Sequence, residues 1–177
     1  VGVLAADSML HLPDFRSSER TFQLITQVSG RAGRHELSGE VIVQTYTPDH
    51  YSIKLASTYD YLTFYQEEMQ LRRTFRYPPY YYLALLHFSD EDYQIVYKAA
   101  YKANQIVRAF LTKEAIVLGP TASPIARLKN RYRYQILIKY RFEPRLHEGM
   151  YEVLEALRDE RRRGLRVTVD VNPYQFM

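Results

Sequence analysis

The feature that most constrains the fold of this chain is the sequence Tyr77-Pro78-Pro79, close to the middle of its 177 residues. Two consecutive prolines cannot continue a helix, and they bias the preceding residue towards extended backbone. The helical pattern upstream must therefore end here. We place a domain boundary at this point, which predicts one unit of residues 1–76 and a second unit of residues 77–177.

The first unit shows the pattern of an α/β fold. Val1–Leu4 is an apolar run typical of a buried parallel strand, and it leads to Asp7 at the strand edge where α/β folds keep their chemistry. The remaining predicted elements are a helix from Ser17 or Ser18 to Gly30, a strand over 40–46, a helix after Pro48 and a helix capped by Asp60.

The second unit shows the pattern of a small α+β domain. Its predicted elements are a strand over 80–88, a helix from Asp90 or Asp92, a strand over 115–118 followed by a loop, a strand over 131–140, a helix from Pro144 and a strand over 165–171. This β-α-β-β-α-β order is the ferredoxin-like split pattern, which hosts many functions. Helical spacing predicts that Tyr61, Tyr93 and Tyr97 lie in the cores of the two units.

Composition excludes several classes of protein. The chain has no cysteine and only five scattered histidines, so we expect no metal site within it. No apolar run approaches the roughly 20 residues that span a bilayer, so we expect a soluble, cytoplasmic protein without a membrane partner. Lysine and arginine outnumber aspartate and glutamate by 24 to 20, a surplus that points to a polyanionic partner only if it is clustered.

Basic residues do cluster in and before the predicted strand 131–140. Period-two alternation places Arg131, Arg133, Gln135 and Lys139 on one face and mostly tyrosine and isoleucine on the other. A half-buried strand with a solvated basic face and a surface that contacts DNA phosphates both fit this pattern. The candidate DNA-binding residues are Arg127, Lys129, Arg131, Arg133 and Lys139. The run of arginines at 158–163 falls at a helix end, where cations complement the dipole.

One short motif carries specific chemistry, and it reads Gln27-Val28-Ser29-Gly30-Arg31-Ala32-Gly33-Arg34. It sets Arg31 and Arg34 three residues apart just after a helix. Glycines beside them permit close backbone approach and positive φ. Arginine suits a transferring phosphoryl group, because its guanidinium stays charged and binds phosphate oxygens in two places.

This motif resembles motif VI of superfamily 2 helicases, Gln-x-x-Gly-Arg-x-Gly-Arg. Within the superfamily the chain resembles the primosomal replication-restart helicases over nearly its whole length. The segments that carry the resemblance are residues 3–8, 13–20, 39–45, 72–73, 78–80, 118–120 and 131–135.

The resemblance implies that residues 1–76 are the end of the second RecA-like helicase lobe. It makes Arg31 and Arg34 catalytic arginine fingers, and it places Gln27, Gly30, Gly33 and Asp7 at the nucleotide. ATP with Mg²⁺ would be the cofactor of the full-length protein, and zinc would bind outside this chain. The chain itself lacks a phosphate-binding loop, so it should not hydrolyse ATP alone.

The function implied is an ATP-dependent 3′–5′ DNA helicase that recognises stalled or branched forks and starts primosome assembly. Its partners would be forked and single-stranded DNA, single-strand-binding protein, and primosome or helicase-loading proteins. Two alternatives stay open at this stage. One is a non-enzymatic nucleic-acid or protein-binding adaptor, and the other is a different superfamily 2 enzyme such as an RNA helicase.

Overall fold

A computed structural model describes residues 1–30 and 40–173 of the chain. The chain divides into two compact units, Val1–Phe75 and Arg76–Met177. Each unit has its own cluster of buried apolar side chains.

The first unit consists of helices beside a minimal parallel sheet. Strands β1 (Gly2–Val3) and β2 (Ile42–Val43) pair in parallel, with Gly2 opposite Ile42. The helices are α1 (Asp7–Leu10), α2 (Ser17–Ser29), α3 (Tyr51–Ser57) and α4 (Tyr61–Thr74). Apart from the short α1, which the sequence did not predict, the order strand, helix, strand, helix, helix agrees with the sequence pattern. The Asp60 carboxylate caps α4 by accepting the Thr63 backbone N–H at 3.0 Å.

Three details of the first unit differ from the prediction. The strand predicted over 40–46 is only two residues long, and Val1 and Leu4 are 61% and 79% exposed rather than buried. A single two-residue ladder, the one sheet of this unit in the described ranges, offers too little surface to cover them. Helix α2 begins at Ser17 with Arg16 as its N-cap residue, and neither Ser17 nor Ser18 caps it through its side chain.

The core of the first unit is an aromatic and aliphatic cluster between α2, α3 and α4. The Phe22 and Phe64 rings stack with their centroids 4.1 Å apart, and Ile25 and Ile53 lie in the same cluster. Helix α4 contributes little else that is apolar, because the other buried residue on it is Glu68. The tyrosine predicted to lie in this core, Tyr61, is 59% exposed.

A charged network accounts for the burial of Glu68. The Arg72 guanidinium donates to Glu68 at 2.7 Å and to Glu19 at 2.7 Å, and the Tyr51 hydroxyl donates to Glu68 at 2.6 Å. Burial, aided by the hydrogen bond to Glu68, raises the pKa of Tyr51. Because these residues lie on α2, α3 and α4, the network connects three helices.

The second unit is a four-stranded antiparallel sheet with helices packed against it. Its elements are β3 (Tyr82–Asp90), α5 (Tyr93–Phe110), β4 (Ile116–Leu128), β5 (Arg131–Tyr140), α6 (Leu146–Ala156), α7 (Arg158–Arg162) and β6 (Arg166–Val171). The strands lie in the order β4-β5-β3-β6, and every neighbouring pair is antiparallel. The mixed α/β character expected from the sequence is confirmed.

Small residues let the two long helices approach the sheet and each other. The buried face of α5 carries Ala99, Ala100 and Ala103 between Val96 and Val107. Helix α6 approaches α5 at Gly149, where an added Cβ would lie 2.9 Å from the Cβ of Phe110. The core formed in this way includes Ala84, Leu86, Phe88, Ile136, Ile138, Met150 and Val153.

Two predictions for the second unit are wrong. Strand β4 runs for 13 residues, through the stretch predicted as a loop, with register shifts between Leu118 and Thr121 and between Ala122 and Arg127. Tyr93 and Tyr97 are 42% and 37% exposed, because the alanines rather than the tyrosines of α5 face the core.

Candidate functional site

The described part of the helicase-like motif lies at the end of α2. Gln27 is exposed in the last turns of this helix, and the backbone N–H of Gly30 closes the helix by donating to the Thr26 carbonyl at 3.0 Å. Gly30 has φ −64°, an ordinary right-handed value, so the positive φ expected for the glycines is not needed at this position. Arg31, Gly33 and Arg34 lie outside the described residues.

Both carboxylate oxygens of Asp7 accept hydrogen bonds from other residues of the chain. One carboxylate oxygen accepts the hydroxyls of Thr45 at 2.6 Å and Thr47 at 2.5 Å and the Thr47 backbone N–H at 3.2 Å. The other oxygen accepts the Tyr46 backbone N–H at 2.8 Å. The hydrogen bonds from Thr45, Thr47 and Tyr46 hold the pKa of Asp7 well below its usual range. This geometry favours a structural role for Asp7, joining the start of α1 to the loop that follows β2, over a contact to nucleotide.

The exposed members of the basic cluster lie at the turn between β4 and β5. The Arg127 guanidinium stands 4.9 Å from the centroid of the Tyr132 ring and also donates to Asn130. Lys129 and Asn130 form the turn in the left-handed region, with φ 49° and 61°. Arg127 and Lys129 therefore present two positive charges to solvent at one end of the sheet.

Two other members of the cluster are engaged inside the unit. The Arg131 guanidinium donates to the carbonyls of Ser89 at 2.7 Å and Gly164 at 2.6 Å. It thus holds the start of β5 against β3 and the turn before β6. Lys139 is 6% exposed, and its ammonium lies 3.5 Å from the centroid of the Tyr77 ring. Burial lowers the pKa of Lys139, with a further contribution from Arg76.

The prediction of one solvated basic face on β5 is therefore wrong. Arg133 lies opposite Ser89 and is half-buried, with its charge close enough to lower the pKa of His87, which burial already lowers. Toward the other end of the strand, the same face carries Lys139 in an enclosed position opposite the buried Leu83. Alternation gave the correct face for each side chain, but it could not show that part of this face is covered.

A surface pocket near the end of β5 is lined by positively charged side chains from separate segments of the chain. It has a volume of about 400 Å³ and is lined by Arg76, Tyr81, Lys113, Glu114, Ile116 and Arg141. The Arg141 and Arg76 guanidinium groups stand 4.9 Å and 5.9 Å from the centroid of the same Tyr81 ring. Three cations and one carboxylate line the pocket, so it suits an anionic ligand.

Arg76 and Lys113 were not among the candidates from sequence. Arg76 follows the arginine pair at 72–73 and Lys113 stands beside Glu114, and only the fold brings them beside Arg141, which belongs to the basic stretch around β5. The signal available in the sequence was Arg76 directly before the tyrosine- and proline-rich segment that includes the pocket residue Tyr81.

Residues 1–30 and 40–173 contain neither a metal-binding cluster nor a membrane-spanning helix. Among these residues, no group of three or more histidine, aspartate or glutamate side chains is arranged to hold a metal ion. Within the same ranges, no helix has the length and apolar character needed to cross a membrane.

Comparison with known proteins gives a consistent result. Residues 73–174 match the family model of the primosomal protein N C-terminal domain. The replication restart protein PriA of Bacillus subtilis is 55% identical over 100% of this chain and 22% of its own length. PriA of Synechocystis is 45% identical over 79% of this chain and 17% of its own, and PriA of Treponema pallidum is 36% identical over 100% and 27%.

The family model covers more than half of the chain, and the similarity to the first of these relatives extends over all of it. The chain spans only about a quarter or less of the length of these curated relatives. The chain belongs to the PriA family, and its residues 73–174 form the primosomal protein N C-terminal domain.

Proposed function

We propose that this chain is the C-terminal part of a replication restart protein that acts in the cytoplasm as an ATP-dependent 3′–5′ DNA helicase. The full-length protein would recognise stalled or branched forks and begin primosome assembly. Its partners would be single-strand-binding protein and the proteins that load the replicative helicase. The observation that carries the proposal is the 55% identity to a replication restart protein over the whole chain, with the helicase-like motif at 27–34.

The second unit would bind DNA through its exposed cations. Arg127 and Lys129 at the β4–β5 turn and the cations of the pocket at Arg141 supply charge on separate parts of the unit. Phosphate contacts made by such groups position a protein on DNA without reading its sequence. This fits an enzyme that must recognise the shape of a fork rather than a base sequence.

The strand order β4-β5-β3-β6 and the element order β-α-β-β-α-β, with the short α7 following α6, support a ferredoxin-like topology for this unit. The parallel pair of β1 and β2 with flanking helices supports assigning the first unit to the end of a RecA-like lobe. Under this assignment, the exposed Gln27 and the segment that follows α2 would face ATP, which would be bound with Mg²⁺ mainly by a lobe outside this chain. Zinc would also bind outside it.

The helicase proposal is tested by ATP hydrolysis in the full-length protein. We expect Arg34→Ala and Arg31→Ala to lower the DNA-stimulated rate by about 10³-fold or more, because an arginine finger stabilises charge on the transferring phosphate. Arg162→Ala is the matched control, since this exposed arginine on α7 lies far along the chain in the other unit. Unchanged turnover in the motif variants, with DNA binding retained, would favour the adaptor function instead.

DNA binding by this chain is tested by fluorescence anisotropy with a labelled single strand at several salt concentrations. Arg141→Ala and Lys113→Ala are each expected to reduce the magnitude of the salt slope by roughly the 0.7 that one phosphate contact contributes. The same Arg162→Ala control should leave the slope unchanged. An affinity that does not depend on salt would contradict a phosphate-binding role for these cations.

A further inference from the structure

A row of exposed tyrosines follows one side of α5 and is not used by the phosphate contacts described above. Tyr93, Tyr97 and Tyr101 are 42%, 37% and 42% exposed, and we call these three residues the tyrosine stripe. Four-residue spacing places them on one side of the helix, about 6 Å apart along its axis. Large aromatic side chains aligned on a surface in this way indicate a contact site rather than a core.

The rings of the tyrosine stripe are held in fixed relation to one another and to β5. The Tyr97 and Tyr101 ring centroids are 4.4 Å apart, and those of Tyr93 and Tyr97 are 6.1 Å apart. Tyr134 of β5 lies with its ring centroid 6.0 Å and 6.1 Å from those of Tyr93 and Tyr97, and its hydroxyl is 3.0 Å from that of Tyr93. That hydrogen bond raises the pKa of Tyr134 to about 12. The stripe therefore loses little conformational freedom when it binds a partner.

Positive charge lies at both ends of the tyrosine stripe. At the β4–β5 turn, the exposed Arg127 covers the ring of Tyr132, and that ring meets Tyr93 edge to face with centroids 5.6 Å apart. At the far end, Arg108 of α5 is exposed and is positioned by hydrogen bonds to Asn104 at 3.0 Å and to the Val117 carbonyl at 3.1 Å. Aromatic rings between two fixed cations complement a ligand that has flat rings joined by negative charges.

Single-stranded DNA has this chemistry, because each base offers a π-face and each linkage carries a phosphate. The spacing of the tyrosines also distinguishes the form of the DNA. Bases in a duplex rise 3.4 Å per nucleotide along one strand. The tyrosine ring centroids, 4.4 Å and 6.1 Å apart, are more widely spaced than the bases of a duplex, so they match a strand whose bases have partly unstacked.

We propose that the tyrosine stripe of α5 stacks against the bases of single-stranded DNA, with Arg127 and Arg108 bound to phosphates on either side. This inference rests on the proposed function, in which the second unit binds DNA, and it adds a site on the helical layer. Stacking is tolerant of sequence, so the site would hold a displaced strand of any composition.

The test measures binding of fluorescently labelled oligothymidylate to the full 177-residue chain. We expect Tyr97→Leu and Tyr101→Leu each to weaken binding by roughly 5- to 150-fold, which corresponds to one lost stack. Tyr97→Phe should bind as the wild type does, because it keeps the ring. Tyr151→Leu on α6 is the matched control, since Tyr151 is 65% exposed but lies outside the stripe. Circular dichroism verifies that each variant keeps its helices.

A second ligand separates stacking from charge. An abasic oligonucleotide of the same length keeps the phosphates and lacks all the bases, so it should bind the wild type at least as weakly as oligothymidylate binds either leucine variant. Equal affinity of the two ligands, or leucine variants that bind like the wild type, would overturn the stacking site. If Arg141→Ala still weakens binding in that case, the proposed DNA-binding function stands without it. If the chain binds neither ligand, both proposals fail.

Discussion

At the scale of single residues, Asp7 shows how one carboxylate can organise a loop. Its oxygens accept four hydrogen bonds from residues 45–47. Because these bonds favour the ionised form, the folded-state pKa lies below the value of about 3.9 in an unfolded chain. The resulting stabilisation is fully present above that unfolded value and is lost as the pH falls through the folded-state pKa.

We expect Asp7→Asn to lower the urea midpoint of the first unit at neutral pH, because the amide nitrogen cannot accept these donors. The difference in urea midpoint between the variant and the wild type should narrow as the pH falls below about 4. Asp49→Asn is the control, since Asp49 is exposed in the neighbouring loop and no comparable change is expected. If this difference in urea midpoint stays constant down to strongly acidic pH, the charge of Asp7 is not what stabilises the loop.

Lys139 and Lys129 differ in accessibility although both belong to the basic stretch around β5. Lys139 lies enclosed against Tyr77, whereas Lys129 is exposed at the β4–β5 turn. We therefore expect Lys129→Ala to reduce the salt slope of DNA binding by roughly 0.7. Lys139→Met, which keeps most of the side-chain volume, should leave that slope unchanged. The opposite result would show that Lys139 reaches the DNA after a local rearrangement.

At the scale of secondary-structure elements, the sequence predicted most of the helices and strands of the second unit. Asp92 caps α5 and alternation defines β5, and both are local signals. The prediction failed where contacts between residues distant in the sequence decide which side chains are buried. Alanine and tyrosine both recur at helical spacing on α5, and only packing against the sheet shows that the alanines are buried and the tyrosines exposed.

The candidate site was predicted less completely, for a related reason. The motif at 27–34 is local and was identified from its own residues, although Arg31 and Arg34 lie outside the described part of the structure. The pocket that contains Arg76, Lys113 and Arg141 depends on three segments meeting in space. No spacing rule in a single sequence indicates that these segments converge.

The network on α4 makes a prediction about how helices α2, α3 and α4 hold together. Glu68 and Arg72 have side chains only 7% and 13% exposed. Arg72→Leu should destabilise the first unit by roughly 3–5 kcal/mol, because it leaves a buried carboxylate without its cation. Adding Glu68→Leu to this variant should recover part of the lost stability. The measurement is urea unfolding of the two single variants and the double variant. Strictly additive losses would contradict direct coupling.

The contact between α5 and α6 makes a second prediction at this scale. Gly149→Ala should destabilise the second unit by a net amount of roughly 1 kcal/mol. Crowding against Phe110 outweighs the better helix propensity of alanine. Glu152→Ala, at an exposed position of the same helix, is the control for propensity. A stabilised Gly149→Ala variant in thermal unfolding would show that α6 shifts freely to make room.

At the scale of the whole molecule, the two compact units allow each substitution to be assigned to its own part of the chain. Val1–Phe75 and Arg76–Met177 have separate cores, so we expect unfolding to deviate from a single two-state transition. Arg72→Leu should lower one transition in calorimetry, and Gly149→Ala should lower the other. If each substitution lowered both transitions equally, the two units would unfold as one.

The irregular course of β4 bears on how this protein behaves at high concentration. Strand β4 lies at the edge of the sheet and exposes Leu118, Ile125 and Leu128, which would make a straight strand a template for a neighbouring copy. Pro120 and Pro124 lack the backbone N–H that such pairing needs, and the register shifts bend the strand. The protein can therefore carry a long apolar edge strand and still resist assembling into extended sheets.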